Sequence, residues 1–283
     1  MTITGAAKLA GIMGWPVTHS RSPALHGYWL KEHGIDGAYV PMAVKPENLR
    51  RALQALPALG FAGCNLTIPH KEDAMRAVDE YEPSAKRAGG VNTVVISPKG
   101  QIIGSSTDGF GFIAALRAQL TGFNAGLGPA VVLGAGGAAR AVVAALLDEG
   151  AREVRLVNRT PERAAKLAKE LGGEVRGVPW DTRNQALAGA SLLVNATSLG
   201  MEGQPALDLP LDSLPRDAVV NDIVYVPLET PLLAAARARG NRCVDGLGML
   251  LHQARPGFEA WFGVQPQVTE GLRQAVVATL TRS

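Results

Sequence analysis

Short apolar runs alternate along this chain with longer segments in which apolar positions recur every three or four residues. Ile12–Met13, Ala38–Ala43 and Gly63–Ile68 read as strands, while Ala24–His33 and Glu47–Leu56 between them carry the helical period, so the first part predicts β-α-β-α-β. A charged helical stretch follows Lys71. Val91–Ile96 and Gln101–Gly104 then flank Ser97-Pro98-Lys99-Gly100, turn residues that predict a hairpin. A helix over Phe110–Gln119 ends in the Gly/Pro-rich stretch Thr121–Pro129, which has the composition of a domain boundary.

A second alternation starts at Ala130: strand Val131–Leu133, helix Ala138–Asp148, strand Val154–Val157, helix Pro161–Leu171, then strands Leu192–Asn195 and Val219–Ile223. This order predicts a doubly wound parallel sheet. Met249–Ala254 and Val268–Leu280 read as helices that either close the second domain or return to the first. The expected fold class is α/β: an N-terminal α/β domain over 1–108 and a Rossmann domain over 109–249.

Composition narrows the class. A chain of 283 residues suits about two domains. With 47% hydrophobic and 19% charged residues it has the make-up of a globular protein rather than a disordered one. The 28 Lys and Arg against 25 Asp and Glu leave a net charge of +3, scattered rather than clustered. That pattern predicts no nucleic-acid partner, but a mild preference for phosphorylated or carboxylated small molecules. No apolar run reaches about 18 residues, and Met1–Leu9 carries one lysine and no long apolar core, so no membrane partner and a cytoplasmic address are expected. Cys64 and Cys243 lie far apart, without metal-site spacing and too few for a disulfide framework; two buried free thiols and no metal are expected.

Val131-Val132-Leu133 runs into Gly134-Ala135-Gly136-Gly137-Ala138-Ala139, a G-x-G-x-x-A fingerprint between a strand and a helix. Gly134 permits the tight turn and Gly136 lets backbone approach a pyrophosphate. Ala139 keeps the helix close to the sheet, with its N-terminal N–H groups facing the phosphates. The next strand ends at Asn158-Arg159-Thr160, about two dozen residues past Gly134, where an acid would bind the ribose of NAD. No acid stands there. Arg159, with Arg163 a turn into the following helix, can instead pair with a 2′-phosphate, which points to NADP. Asn158-Arg159-Thr160-Pro161 is also sound turn and cap chemistry. Asn195-Ala196-Thr197-Ser198 follows another strand at the same edge and either lines the cofactor crevice or caps the turn.

In the first domain, Ser20-Arg21-Ser22-Pro23 precedes a helix, so Ser22 reads as an N-cap with Pro23 at N1; two hydroxyls at a helix N-terminus also suit a carboxylate. Asn65 and Thr67 project to one face of a strand that Pro69 stops before Lys71, and His70 reads as structural or surface. Asp108 precedes a helix, where it could cap or act. Together, Lys71 and Asp108 make a functional pair: an ammonium held charged by a carboxylate can donate a proton to an oxygen gaining negative charge.

Gly14-Trp15-Pro16, His19-Ser20-Arg21-Ser22-Pro23, Asn65 through Lys71, Val91-Asn92-Thr93 and Thr107-Asp108-Gly109 stand in that order. They are followed by the glycine turn, Asn158-Arg159-Thr160, Asn195 through Ser198, Asn221 through Tyr225, and Asp245 through Gln253. The chain resembles the shikimate dehydrogenase family along essentially its whole length. The resemblance implies NADPH-dependent reduction of 3-dehydroshikimate to shikimate, a step toward chorismate and the aromatic amino acids, by a monomer or homodimer. It implies that Ser20 and Ser22 hold the substrate carboxylate and that Thr67, Lys71, Asn92, Asp108 and Gln253 bind ring hydroxyls, with Tyr225 approaching from the cofactor side. Lys71 and Asp108 become the catalytic pair. Gly134, Ala135, Gly136, Gly137 and Ala138 fall to the diphosphate, Asn158, Arg159, Thr160 and Arg163 to the adenosine phosphate, and Ile223, Gly246 and Met249 to the nicotinamide end. The last helices, within 250–283, would cross back to the first domain, bringing Gln253 to the substrate, in a cleft expected to close on ligand.

Three positions depart from the family pattern: Gly27 for an asparagine, Gly90 for an alanine and Ser106 for an asparagine. Two other readings remain, an NAD-using quinate/shikimate dehydrogenase and a non-catalytic NADP-binding regulatory homologue. The absence of an acid near Arg159 argues against the first, and the joint presence of Lys71 and Asp108 against the second.

Overall fold

A computed structural model describes residues 3–280, so Met1 and Thr2 of the N-terminal segment lie outside the described residues. Two compact units form, one from the residues up to Thr107 together with those from Leu251 onward, the other from Asp108 to Leu250. The first contains β1 (Lys8–Gly14), α1 (Ser22–Glu32), β2 (Gly37–Ala43), α2 (Leu49–Ala55), β3 (Phe61–Leu66), β4 (Glu80–Tyr81), α3 (Pro83–Ala88), β5 (Thr93–Ile96) and β6 (Ile102–Ser105). Its sheet runs β2-β1-β3-β5-β6-β4. β1 is parallel to both neighbours, while β5 runs antiparallel to β3 and to β6, which makes the sheet mixed. The expected hairpin is β5–β6. The charged stretch after Lys71 forms a one-turn 3-10 segment at Asp73–Arg76 and the short α3 rather than one helix.

The second unit contains α4 (Asp108–Gln119), β7 (Ala130–Leu133), α5 (Gly137–Asp148), β8 (Val154–Asn158), α6 (Pro161–Leu171), β9 (Val175–Pro179), α7 (Arg183–Ala186), β10 (Leu192–Asn195), β11 (Val219–Asp222), α8 (Pro231–Ala238), β12 (Arg242–Val244) and the start of α9 (Gly246–Phe262). The sheet is parallel throughout, in the order β12-β11-β10-β7-β8-β9. Both faces are covered, as parallel sheets require. Val132, Leu156 and Val194 pack with α4, α5 and α6 on one side, and Val131, Leu133, Val157 and Val220 pack with α7 and α8 on the other. The Gly/Pro-rich stretch Thr121–Pro129 lies inside this unit and marks no boundary.

α9 runs through Pro256, beyond the expected stop at Ala254, and α10 spans Glu270–Leu280. Phe258, Trp261 and Phe262 on the far half of α9 are buried, with Phe258 edge-on to Trp29 of α1. Trp261 Nε1 donates to the Val94 carbonyl at 2.9 Å, and Trp29 Nε1 to that of Gln267 at 2.9 Å. An interior proline costs a helix about 3 kcal/mol, whereas each fully buried large apolar side chain returns about 1.5–3 kcal/mol. Three such side chains outweigh one proline.

Cys64 is buried in the first core, and burial pushes its thiol above the usual range. Cys243 is only partly covered, because it sits on edge strand β12. No helix of the described residues is long and apolar enough to cross a membrane.

Candidate active site

The strand order of the second unit reverses once. From β7 the chain steps outward to β8 and β9, then returns to the other side of β7 with β10, β11 and β12. The reversal between β7 and β10 is a topological switch point, outside whose carboxyl end α/β proteins bind ligands. The glycine turn stands there.

Gly134 has φ +107°, a conformation side chains disfavour, and a Cβ on it would lie 2.9 Å from the Ala196 carbonyl oxygen and 3.2 Å from Thr197 Cγ2. The turn therefore packs against the strand-end segment Asn195–Ser198 because residue 134 has no side chain. Around Gly136 and Gly137 a Cβ would meet nothing within 4 Å. Gly136 is the N-cap of α5 and supplies no side-chain cap bond, so the positive end of a 12-residue helix faces open space. These features fit a dinucleotide diphosphate: room for the phosphates, uncapped N–H donors and a favourable dipole.

Beyond β8, the Asn158 Nδ2 donates to the Thr160 carbonyl at 2.9 Å, closing the turn that carries Arg159. Thr160 is the N-cap of α6, but its hydroxyl makes no cap bond. Arg159 and Arg163 are exposed and have no ion-pair partner among the described residues. Two guanidiniums without an ion pair among the described residues, just beyond the end of β8, suit a phosphate.

On the other side, Asn195 and Asp222 end β10 and β11 as register partners. Both are fully buried. Asn195 Oδ1 accepts from the Thr197 N–H (3.1 Å) and hydroxyl (2.7 Å), holding Thr197 as a partly buried turn residue. Ile223 N–H donates to the Asn195 carbonyl at 3.0 Å. Gly246 opens α9 so close to the Ile223 carbonyl that a Cβ would overlap it, and would stand 2.6 Å from the Val224 oxygen. Asp245 Oδ1 caps that helix by accepting from Leu247 N (3.1 Å) and Gly248 N (3.4 Å). Ile223, Tyr225 and Met249 are all half-buried here.

The first unit gathers a second polar group. Asn92 is buried; its Nδ2 donates to Thr107 Oγ1 at 3.1 Å and Gln253 Oε1 at 3.3 Å, and its Oδ1 accepts from the Thr107 N–H at 2.9 Å. Residues just before β5, just after β6 and within α9 thus meet although 161 positions separate Asn92 from Gln253. Asn65 supports them from beneath: its Nδ2 donates to the Asn92 carbonyl and to Thr93 Oγ1, each at 3.1 Å, and its Oδ1 accepts from the Tyr39 phenol at 2.6 Å. Asn65 is therefore an internal strut rather than a ligand group. Tyr39 stacks on buried His26 at 3.9 Å, whose imidazole burial pushes down to about 3, leaving it neutral. His70, also buried, holds the Val44 carbonyl at 2.8 Å, which makes it structural.

Ser22 is the first residue of α1 and Arg21 the N-cap, without a side-chain cap bond, so the expected cap at Ser22 with Pro23 at N1 is one residue out. The half-buried Ser20 accepts from the Ser22 N–H at 3.3 Å. Thr67 follows β3, and Gly14 is a glycine because a Cβ there would meet Thr67 Cγ2 at 2.5 Å. Lys71 is half-buried, and its carbonyl accepts from Val91 N–H at 2.8 Å. Gly90 gives this turn slack, since a Cβ would press on the Lys71 backbone at 3.2 Å, whereas a Cβ at Gly27 would meet open space. Ser106 N–H is held by Ser84 Oγ at 3.2 Å. Asp108, half-buried, is the first residue of α4 and of the second unit. Gly109 beside it lets α4 approach α5, where a Cβ would stand 3.0 Å from that of Ala145.

Sequence reasoning gave no individual role to Tyr39, Thr93, Thr107 or Asp222, although the last three stand inside motifs that carry the family resemblance; Tyr39 shows only polarity at a position that its strand turns inward.

Comparison with known proteins agrees with this construction. The family model for the shikimate dehydrogenase substrate binding domain matches residues 12–94, and the model described as shikimate / quinate 5-dehydrogenase matches 123–201. A shikimate dehydrogenase (NADP(+)) from Paramagnetospirillum magneticum is 59% identical over 276 residues, 98% of this chain and 100% of the relative. A shikimate 5-dehydrogenase from Thermus thermophilus, solved with NADP(H) and shikimate, superposes with TM-score 0.85 at 39% identity over 96% of this chain and 99% of its own. A quinate dehydrogenase from Corynebacterium glutamicum, solved with NAD, superposes with TM-score 0.88 at 32% identity, covering 97% and 99%. With its glycine turn, its buried Asn92–Thr107–Gln253 cluster and similarity spanning both units, the chain belongs to the shikimate/quinate dehydrogenase family.

Proposed function

We propose that the chain catalyses the reversible, NADP-dependent reduction of 3-dehydroshikimate to shikimate. The observation that carries the reading is the crevice at the β7–β10 reversal, where an open glycine turn, the uncapped α5 and two arginines without ion pairs converge, in a chain 59% identical to a shikimate dehydrogenase (NADP(+)). The glycine turn holds the diphosphate, with Ala135 and Ala138 lining it. Asn158, Arg159, Thr160 and Arg163 take the 2′-phosphate side, and Thr197, Ile223, Gly246 and Met249 line the nicotinamide side. NADPH, when bound, supplies the hydride.

The chain's own residues do the rest. Ser20 and Ser22 donate to the substrate carboxylate. Thr67, Asn92 and Gln253 hold ring hydroxyls, a ligand hydroxyl exchanging with the long Asn92–Gln253 bond, and Tyr225 closes on the ring from the cofactor side. Lys71 Nζ donates a proton to the carbonyl oxygen as negative charge develops on it, and Asp108 keeps the ammonium charged and aimed. In the oxidative direction the lysine receives that proton back. The same reading includes a cytoplasmic location and a monomeric or homodimeric state.

One assay separates this from quinate-directed, NAD-using chemistry: reduced-nicotinamide absorbance with shikimate or quinate crossed against NADP+ or NAD+. Shikimate with NADP+ is expected to give the highest kcat/KM, and a preference for quinate with NAD+ would reverse the assignment. An inactive wild type that still binds NADP+ would favour a regulatory homologue. Arg159→Ala is expected to weaken NADP+ roughly 10- to 100-fold, the worth of one charge-assisted contact, and to leave NAD+ nearly unchanged. Equal losses for both cofactors would refute the phosphate assignment.

A further inference from the structure

Asp222 is the one fully buried carboxylate that the proposed chemistry leaves unused. No cation pairs with it among the described residues. Its Oδ1 accepts from Asn195 Nδ2 and from Val224 N–H, each at 3.0 Å, and its Oδ2 from the Thr230 hydroxyl at 2.7 Å. Thr230 is in turn the N-cap of α8, accepting from Leu233 N–H at 3.3 Å. Three segments therefore end on one carboxylate: the strand-end turn that carries Thr197, which is distant in sequence, and the nearer turn that carries Ile223 and Tyr225 and the start of α8.

We propose that Asp222 is a positioning residue for the nicotinamide half of the cofactor, fixing the Thr197 and Ile223–Tyr225 turns relative to one another at the β10–β11 side of the crevice. The inference rests on the NADP reading above. Topology assigns the halves: the arginines lie beyond β8 on one side of the reversal, so the other half of a dinucleotide crossing it falls over β10 and β11. Chemistry explains the residue type. Only an ionised carboxylate accepts from three donors without offering a proton of its own, and each donor would otherwise be stranded away from water. Burial opposes this use and Thr230, Val224 and Asn195 favour the ionised form; burial outweighs them, so the carboxyl is raised to about 6. Folding stability alone gives no reason to bury a carboxylate without a cation. Holding two ligand-bearing turns in register does.

The test compares two probes by titration calorimetry on the intact chain: NADP+, and adenosine 2′,5′-bisphosphate, which engages only the arginine side and the glycine turn. In Asp222→Ala the Kd for NADP+ is expected to rise about tenfold or more, the loss of two to three hydrogen bonds that hold the turns, while that for the bisphosphate stays within about twofold. Asp222→Asn keeps an acceptor for Asn195 and Val224 and turns an N–H toward Thr230, so it is expected to restore NADP+ binding to within about threefold. If Asp222→Ala does not fold, Asn195→Ala cuts the link between Asp222 and the Thr197–Leu199 turn while leaving the Thr230 and Val224 bonds, and is expected to show the same selective loss. Parallel loss of both probes, or no loss of either, overturns the inference. A wild type that binds neither probe overturns the NADP reading together with it.

Discussion

Replacing Lys71 by alanine is expected to lower kcat for shikimate oxidation by about 10²- to 10⁴-fold, the range for losing a positioned acid–base group. The Kd for NADP+ should stay within about twofold, because Lys71 belongs to the first unit and the dinucleotide crevice to the second. Steady-state kinetics beside a cofactor titration reads both. A drop in kcat with matched loss of cofactor binding would mean general damage, and an undiminished kcat would remove Lys71 from the chemistry. The Lys71 turn has a defined scaffold, since the bond from Val91 N–H to its carbonyl and the close approach of Gly90 hold the backbone independently of the side chain. Truncation at Cγ and beyond should therefore leave the fold intact.

Gly246→Ala is expected to be the most damaging substitution in the second unit that touches no charged group. Its Cβ would overlap the Ile223 carbonyl and lie within 2.6 Å of the Val224 oxygen, and both obstacles are backbone, so no rotamer change relieves them. Either α9 or the Ile223–Tyr225 turn must shift. Overpacking of this kind costs about 1–3 kcal/mol, and more where backbone has to move. Thermal melting should show the lost stability, and NADP+ binding should weaken further than the melting shift alone explains, because the displaced turn carries Ile223 and Tyr225. A variant with wild-type melting and wild-type NADP+ affinity would disprove the close approach. The capping bonds from Asp245 survive the substitution, which isolates the clash as the cause.

Much of the fold is legible locally. The expected α6, Pro161–Leu171, is the observed one, because proline starts it and an amphipathic period sustains it to a glycine. The hairpin and glycine turn carry turn chemistry that few other conformations accommodate. The elements that escaped are β4, with two exposed residues, β9 and β12, outermost strands that present little alternation, and the short helices α7 and α8. Composition taken alone points to Thr121–Pro129, which has linker residues but sits within one unit; the divisions fall at the start of α4 and inside α9, next to the expected limits at 108 and 249. A continuous helix gives no local sign that its two ends belong to different cores.

The site divides in the same way. The sequence alone determined the residue types and spacings that bind phosphate, because a tight turn needs glycine and an anion needs free N–H groups and arginine, both local requirements. It also placed Lys71 and Asp108 at the ends of elements. Only the tertiary structure decided which polar residues serve as ligand groups and which as struts. Asn65 and Asn92 look alike in sequence, yet one is spent on Tyr39 and Thr93 while the other meets Thr107 and Gln253. Asp222 is held partly by near neighbours, Val224 and Thr230, but its bond from Asn195 comes from another strand that only packing brings beside it, and no local pattern encodes that partner.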